Sequence, residues 1–141
     1  MIEELVLHGA DPFKKNSTGM NALHLAAQGN QPAVMCHLID KLGFELDSVD
    51  NMQSSAVHWA AFSGNELAMS YILAWGADPN SKDEKGSTPL HLAVLNSQQS
   101  RSTRLIKHLL IKGADCFEVD RKNRTPLDYA REKLGNDATW F

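Results

Sequence analysis

Cysteine is scarce in this sequence of 141 residues, which contains only Cys36 and Cys116, 80 positions apart. Without a Cys-x-x-Cys pair, two distant cysteines indicate reduced thiols and not a disulfide framework or a zinc site. No apolar run approaches the roughly 18 residues that a membrane span needs, and no basic-then-apolar leader opens these residues. We therefore expect a cytoplasmic chain, either free or the cytosolic part of a larger protein.

An excess of positive charge is also missing. The chain carries 14 basic and 17 acidic side chains, a net charge of −3, which argues against a generic polyanion binder. The charge is uneven, since residues 1–82 hold 9 acidic and 4 basic side chains and residues 83–141 hold 8 acidic and 10 basic ones. No aromatic residues interleave with the C-terminal basic residues, so we expect no nucleic-acid binding.

Two short phrases, by contrast, recur at one spacing. The first is Ser-Thr-Pro-Leu-His-Leu at 87–92, in which Thr88 suits a helix N-cap and Pro89 suits the first helical position. Degraded copies follow steps of 34, 33 and 37 residues, at 21–24, 55–58 and 125–128. The second phrase, Gly-Ala-Asp or a variant of it, occurs at 9–11, 43–45, 76–78 and 113–115. A shared period of this length predicts a stacked-repeat architecture.

On these phrases the sequence resembles the ankyrin repeat family. The resemblance implies an all-α solenoid of stacked helix-turn-helix units with short β-turn fingers, here a single domain over 1–141. We predict full repeats at 16–49, 50–82 and 83–119, between partial repeats at 1–15 and 120–141. The partial repeats are either natural caps or cut ends. The terminal Trp140 and Phe141 either close the last apolar face or begin a severed helix.

Three places depart from the repeat pattern. Gln53 stands at the finger tip where Gly19 and Gly86 occupy the other copies. Holding a glutamine at positive φ costs roughly 1–2 kcal/mol, so we expect a different turn there. Asn30 replaces the usual glycine between two helices, and asparagine tolerates the left-handed region. The polar run 96–102 adds about four residues and predicts an extended loop between the helices of the third repeat.

No residue pattern indicates catalysis. His24, His58 and His91 recur with the repeat, and in the resembled family this histidine hydrogen-bonds within and between repeats. Adjacent copies should lie roughly 10 Å apart, too far for Zn–N bonds of about 2.0–2.1 Å. We find no Ser-His-Asp arrangement, no paired carboxylates and no phosphate-binding glycine loop. We therefore predict no catalytic, metal-binding or cofactor-binding residues, and no enzyme activity in this chain.

Recognition of a protein or peptide partner is the function that the resemblance implies. In this family the partner lies on the concave side, made of the finger tips and the exposed face of each first helix. Carried over by position, the predicted partner-binding residues are Met20, Met52, Trp59, Phe62, Leu95, Asn96, Arg121 and Arg124. Apolar side chains at Met52, Phe62 and Leu95 favour a binding patch. Alternatively, Phe62 and Leu95 cover one another across repeats.

Other readings of the same residues stay open. The basic finger 121–124 pairs with an acidic partner segment or is a solvated terminal face. The His-Trp-Ala-Ala phrase at 58–61 and the stretched inter-helix segment resemble the ankyrin segments of palmitoyltransferases of the Asp-His-His-Cys class. That resemblance implies a substrate-recruiting domain of a larger enzyme whose catalytic part lies outside this chain. A free-standing scaffold or inhibitor is a third possibility. We expect a monomer with no membrane contact of its own.

Overall fold

The computed structural model describes residues 14–100 and 104–134, and within them the chain is helical, with no β-strand. The seven helices of this part are α1 (Ala22–Gln28), α2 (Pro32–Asp40), α3 (Ala56–Phe62), α4 (Glu66–Ala74), α5 (Pro89–Ser100), α6 (Arg104–Ile111) and α7 (Pro126–Leu134). The inner helices α1, α3, α5 and α7 pack in one row, and the outer helices α2, α4 and α6 form a second row behind them. The predicted all-α solenoid is confirmed.

The predictions for the two ends cannot be compared with this structure. Residues 1–13, most of the first partial repeat, lie outside the described residues. So do Trp140 and Phe141. Within the described part, no helix is both long enough and apolar enough to cross a bilayer.

Each complete inner helix begins with the same reciprocal pair of hydrogen bonds. At α1 the His24 N–H donates to the Asn21 side chain, and the Asn21 N–H donates to His24 Nδ1, both at 3.0 Å. At α5 the Thr88 N–H donates to His91 Nδ1 at 3.1 Å. Two otherwise unpaired donors of the first turn are thereby satisfied by side chains of the turn itself.

The capping histidines also join successive repeats. Because Nδ1 accepts from the cap, Nε2 carries the proton and donates to a backbone carbonyl that lies just before the next repeat, for His24, or within it, for His58 and His91. The distances are 2.8 Å from His24 to Ser48, 3.1 Å from His58 to Ser87, and 2.9 Å from His91 to Arg124. The predicted structural role of the three histidines is confirmed.

The core is a ribbon between the two rows of helices. Small residues lie where inner helices meet, and Ala27, Ala60 and Ala61 are fully buried. Larger side chains of the outer helices fill the space behind them and are also fully buried: Met35, Leu38, Met69, Ile72, Ile106 and Leu109. Alanine at the inner positions lets adjacent helices approach closely, which keeps the inner row narrow and the concave side open.

The fingers are tied together by one backbone hydrogen bond at each step. The N–H of Asn51 donates to the carbonyl of Thr18 at 3.0 Å, that of Glu84 to Met52 at 2.9 Å, and that of Arg121 to Lys85 at 2.9 Å. These bonds set the spacing of the fingers, which together form one wall of the concave surface.

Gln53 was expected to alter its finger and does not. It adopts φ 59°, within the left-handed region that Gly86 occupies at φ 74° in the next finger. Its N–H donates to the Asp50 carbonyl at 3.0 Å, as the Gly86 N–H does to Asp83. The expectation was wrong because the hydrogen bonds of the finger hold the backbone despite the cost of positive φ. Asn30 is left-handed as predicted, at φ 53°.

The polar insertion of the third repeat was also mispredicted. Helix α5 continues through Ser100, so residues 96–100 lengthen the helix and do not form a loop. The run Asn-Ser-Gln-Gln-Ser contains no glycine or proline. Once a helix exists, each further residue adds one hydrogen bond without a new nucleation cost, so a polar run of this kind can extend it.

Candidate partner-binding groove

A groove of about 710 Å³ lies between the second, third and fourth fingers and the inner helices. This volume is within the range of about 300–1,000 Å³ typical of ligand sites. The apolar side chains that line it come from the three inner helices α3, α5 and α7 and from one finger tip: Met52, Trp59, Phe62, Leu92, Leu95 and Tyr129. Charged residues of the fingers complete the lining, among them Asp83, Glu84, Lys85, Arg121 and Lys122. The surface therefore combines an apolar floor with charged walls.

Trp59 is held in place from below the groove. Its Nε1–H donates to Asp50 Oδ2 at 2.9 Å, and Asp50 itself is buried. The Phe62 ring meets the indole edge-on, with centroids 6.0 Å apart and planes at 83°. Phe62 is nevertheless 58% exposed, so the alternative in which a neighbour covers it is wrong. A fixed, exposed aromatic pair offers contact area at low entropic cost.

Tyr129 has the corresponding role in the fourth repeat. Its hydroxyl donates to Asp120 Oδ2 at 2.5 Å. Burial and the Asp120 carboxylate together raise the pKa of Tyr129 to about 12, so the phenol stays protonated. Burial alone would raise the pKa of Asp120, but bonds from Tyr129 and from backbone N–H groups outweigh it and lower that pKa. The pair is thus a neutral donor on a carboxylate.

Five of the eight predicted partner-binding residues line the groove: Met52, Trp59, Phe62, Leu95 and Arg121. Met20 does not, because it is only 6% exposed, and its expected exposure was wrong. It immediately precedes the N-cap Asn21, where an apolar side chain commonly packs onto the first helical turn. Asn96 is half-buried and lies beside Gly64, within 2.7 Å of the point that a Cβ there would occupy.

Arg124 is engaged elsewhere. Its guanidinium lies 4.5 Å from the centre of the Tyr129 ring and forms an ion pair with Glu132. It does not line the groove, so the basic finger presents Arg121 and Lys122 there. The Glu132 side chain raises the pKa of Arg124, which therefore stays charged.

Leu92 and Tyr129 line the groove although neither was predicted. Both stand nine residues after a finger aspartate, as Trp59 does after Asp50. Spacing from the aspartate was therefore the signal that could have found them. This spacing is hard to notice in the sequence because leucine, tryptophan and tyrosine are three different residue types.

Two of the buried histidines have lowered pKa values, and the histidines are not grouped for metal binding. Burial lowers the pKa of His24 and of His58, and hydrogen bonds to backbone carbonyls offset this only in part. Over residues 14–100 and 104–134, no three His, Cys, Asp or Glu side chains come together in a way that could hold a metal ion.

Stacked helix pairs with a shared groove define a helical-repeat class of protein whose open surface is suited to binding another chain. Two segments, 1–83 and 70–139, match the family described as ankyrin repeats (3 copies). The chain therefore belongs to the ankyrin repeat family. Ankyrin repeats are protein-interaction modules.

Several similar curated proteins are palmitoyltransferases. The palmitoyltransferase AKR1 of Lachancea kluyveri is 32% identical over 87% of this chain and 17% of its own length. The putative palmitoyltransferase ZDHHC13 of Danio rerio is 30% identical over 99% of this chain and 21% of its own length. An L-asparaginase of Dirofilaria immitis is 31% identical over 94% of this chain and 27% of its own length. The chain thus spans about a fifth of the two palmitoyltransferases.

Proposed function

We propose that this chain binds an extended or partly helical peptide segment of a partner protein in the groove. Met52, Phe62 and Leu95 take the apolar anchors of the segment. The basic end, Arg121 and Lys122, sets its direction by pairing with acidic side chains. The chain acts as a monomeric recognition module and carries out no chemistry itself.

The exposure of Phe62 carries this proposal. Phe62 is 58% exposed, packs edge-on against Trp59 and lines a groove of about 710 Å³, so much of its ring is available to a partner. Met52 is 47% exposed on the same surface. Aromatic and methionine side chains of this kind are enriched among the few residues that supply most binding energy.

Substitution of the groove aromatics tests the proposal. In a pull-down with the purified chain, we expect a specific partner to be captured by the wild type and lost with the Phe62→Ala/Leu95→Ala double variant. For a partner identified in this way, Phe62→Ala alone should weaken binding by about 1 kcal/mol or more. Calorimetric titration of the partner into each variant gives the magnitude.

Ile111→Ala is the matched control. Ile111 is 80% exposed on α6 and does not line the groove, so this change removes apolar surface elsewhere. It should leave the affinity unchanged. Equal losses from the Ile111 and Phe62 variants, or unchanged affinity of the Phe62 variant with unchanged melting temperature, would remove the groove from the binding site.

A second proposal concerns the parent protein. We propose that the chain is the substrate-recruiting segment of a larger enzyme, a membrane protein S-palmitoyltransferase, and that it faces the cytosol. The palmitoyltransferase relatives support this because they match 87% and 99% of the chain, which corresponds to only 17% and 21% of their own length.

The flanking reading frame decides the second proposal. Several apolar spans and a Cys/His-rich loop downstream of residue 141 would support it. A stop codon at that point would exclude it and would favour a free-standing scaffold or inhibitor. Neither result changes the groove proposal, because the groove lies entirely within this chain.

A further inference from the structure

Three consecutive fingers begin with an aspartate, and each uses one carboxylate oxygen in the same way. Oδ1 of Asp50 accepts the N–H groups of Met52 and Ser54, both at 2.9 Å. Oδ1 of Asp83 likewise accepts the N–H groups two and four residues further on, both at 2.9 Å. Oδ1 of Asp120 does the same at 2.9 and 3.1 Å. This oxygen therefore holds the finger in shape.

The second oxygen differs between the three fingers. Oδ2 of Asp50 accepts from the Trp59 indole at 2.9 Å, and Oδ2 of Asp120 accepts from the Tyr129 hydroxyl at 2.5 Å. In both cases the donor stands nine residues after the aspartate. Nine residues after Asp83 stands Leu92, which has no polar group. Over the described residues, no donor reaches the second oxygen of Asp83.

This oxygen belongs to the groove. Asp83 is half-buried and lines the same groove as Trp59 of the second repeat, Tyr129 of the fourth, and Leu92 and Leu95 of its own repeat. Its carboxylate is already oriented by the two backbone bonds, so a ligand donor would meet a preorganised acceptor. Hydrogen bonds in which both groups are ionised are the strongest of this kind, and the surrounding apolar surface strengthens them further.

From this juxtaposition we propose that Asp83 is the anchor for a lysine or arginine side chain of the bound peptide. The inference rests on the proposed peptide-binding function and names one determinant of its specificity. The aliphatic stem of the basic side chain lies along Leu92 and Leu95, and its cationic head donates to Asp83. The finger-tip charges Lys85 and Arg121 are exposed, so their repulsion is screened by water and is weaker than the half-buried contact.

Asparagine at position 83 tests the anchor without damage to the finger. In the first finger Asn16 Oδ1 already accepts the N–H groups of Thr18 and Met20, at 3.0 and 2.9 Å. An amide therefore suffices for the structural bonds, and Asp83→Asn removes only the charge. Asp78→Asn is the matched control, because Asp78 makes a similar bond to the Asn80 N–H at 2.9 Å but does not line the groove.

A second pair of variants isolates the free oxygen. Leu92→Tyr should place a hydroxyl on Asp83, as Tyr129 does on Asp120, whereas Leu92→Phe adds nearly the same bulk without a donor. The two variants differ by one oxygen atom. Leu92→Tyr should have the higher melting temperature, because it gains the hydrogen bond that the second and fourth repeats already have.

The experiment selects a phage-displayed library of random 12-residue peptides on the wild-type chain and measures the affinities of the enriched peptides. We expect one lysine or arginine at a fixed position among apolar residues. Asp83→Asn should weaken the binding of such a peptide roughly tenfold or more. Replacing the basic residue of the peptide by norleucine should have the same effect. Asp78→Asn should change the affinity less than about twofold, and Leu92→Tyr should bind roughly tenfold more weakly than Leu92→Phe.

Two results would overturn the anchor. Enriched peptides without a recurrent basic residue, or with a neutral donor in its place, would show that Asp83 does not select a cation. Unchanged affinity of Asp83→Asn would show that it makes no contact. If Phe62→Ala still weakens the binding of the same peptides, the groove proposal holds and only the anchor fails. If Phe62→Ala has no effect, or if no peptide is enriched, both proposals fail.

Discussion

Replacing His58 by leucine should test whether hydrogen bonds of the capping histidines, and not their bulk, hold successive repeats together. The ring accepts the Ser55 N–H at 3.2 Å and donates to the Ser87 carbonyl at 3.1 Å. Both partner residues are buried, and so is His58. Leucine keeps a buried side chain of similar size but leaves the Ser55 N–H without its partner. The Ser87 carbonyl loses one of two bonds and keeps the one from the Asp83 N–H, at 3.0 Å.

The expected cost follows from one orphaned donor and one lost hydrogen bond to a carbonyl that stays partnered. A buried donor or acceptor that loses its partner costs about 1–3 kcal/mol, and the apolar leucine recovers part of the sum. We expect His58→Leu to lower the free energy of unfolding by about 1–3 kcal/mol. Because the lost bond joins the second repeat to the third, the unfolding transition should also become less cooperative.

His108→Leu supplies the control within the same protein. The Nε2 atom of His108 is buried and meets no hydrogen-bond partner among the described residues. The same substitution should therefore leave the stability unchanged or raise it by up to about 1 kcal/mol. Urea denaturation followed by far-UV circular dichroism at pH 7.5 measures both variants. Equal losses for His58→Leu and His108→Leu would refute the role assigned to the hydrogen bonds.

Three further predictions concern pH and the backbone. Burial lowers the pKa of His24 and of His58 below 6.5, so the unfolded chain takes up protons first, and stability should be complete above pH 6.5 and fall as the pH drops below it. Urea midpoints from pH 7.5 to about 5 should show this decline, and a flat profile would contradict it. Gly19→Ala should lower the melting temperature more than Gly43→Ala. Both glycines are left-handed, at φ 81° and 71°, but only a Cβ at Gly19 would meet the next finger, at Asn51. Equal losses would argue against this close contact. Gln53→Gly should raise the free energy of unfolding by up to about 1 kcal/mol, because it relieves the positive φ. The greater freedom of glycine in the unfolded chain offsets part of this gain.

Much of the fold could be predicted from the sequence because the same structural unit recurs several times along the chain. A residue such as His24 is ambiguous alone, but its recurrence as His58 and His91 indicates one structural role. The capping bonds depend on residues three apart in the chain, so local sequence is sufficient to find them. The groove aromatics Trp59 and Phe62 could be placed for the same reason, since the repeat register assigns a face to each position.

The sequence by itself determined the period, the helix starts and the face on which each position lies. Only the tertiary structure decided which side chains are still available on that face. Met20 is buried and Met52 exposed, and Arg124 is occupied by its own repeat while Arg121 is not. Likewise, within the part of the chain that the structure describes, one oxygen of Asp83 is left without a donor. The physical reason is that register is a local property of the chain, whereas burial and hydrogen bonding depend on which side chains meet once the repeats are stacked.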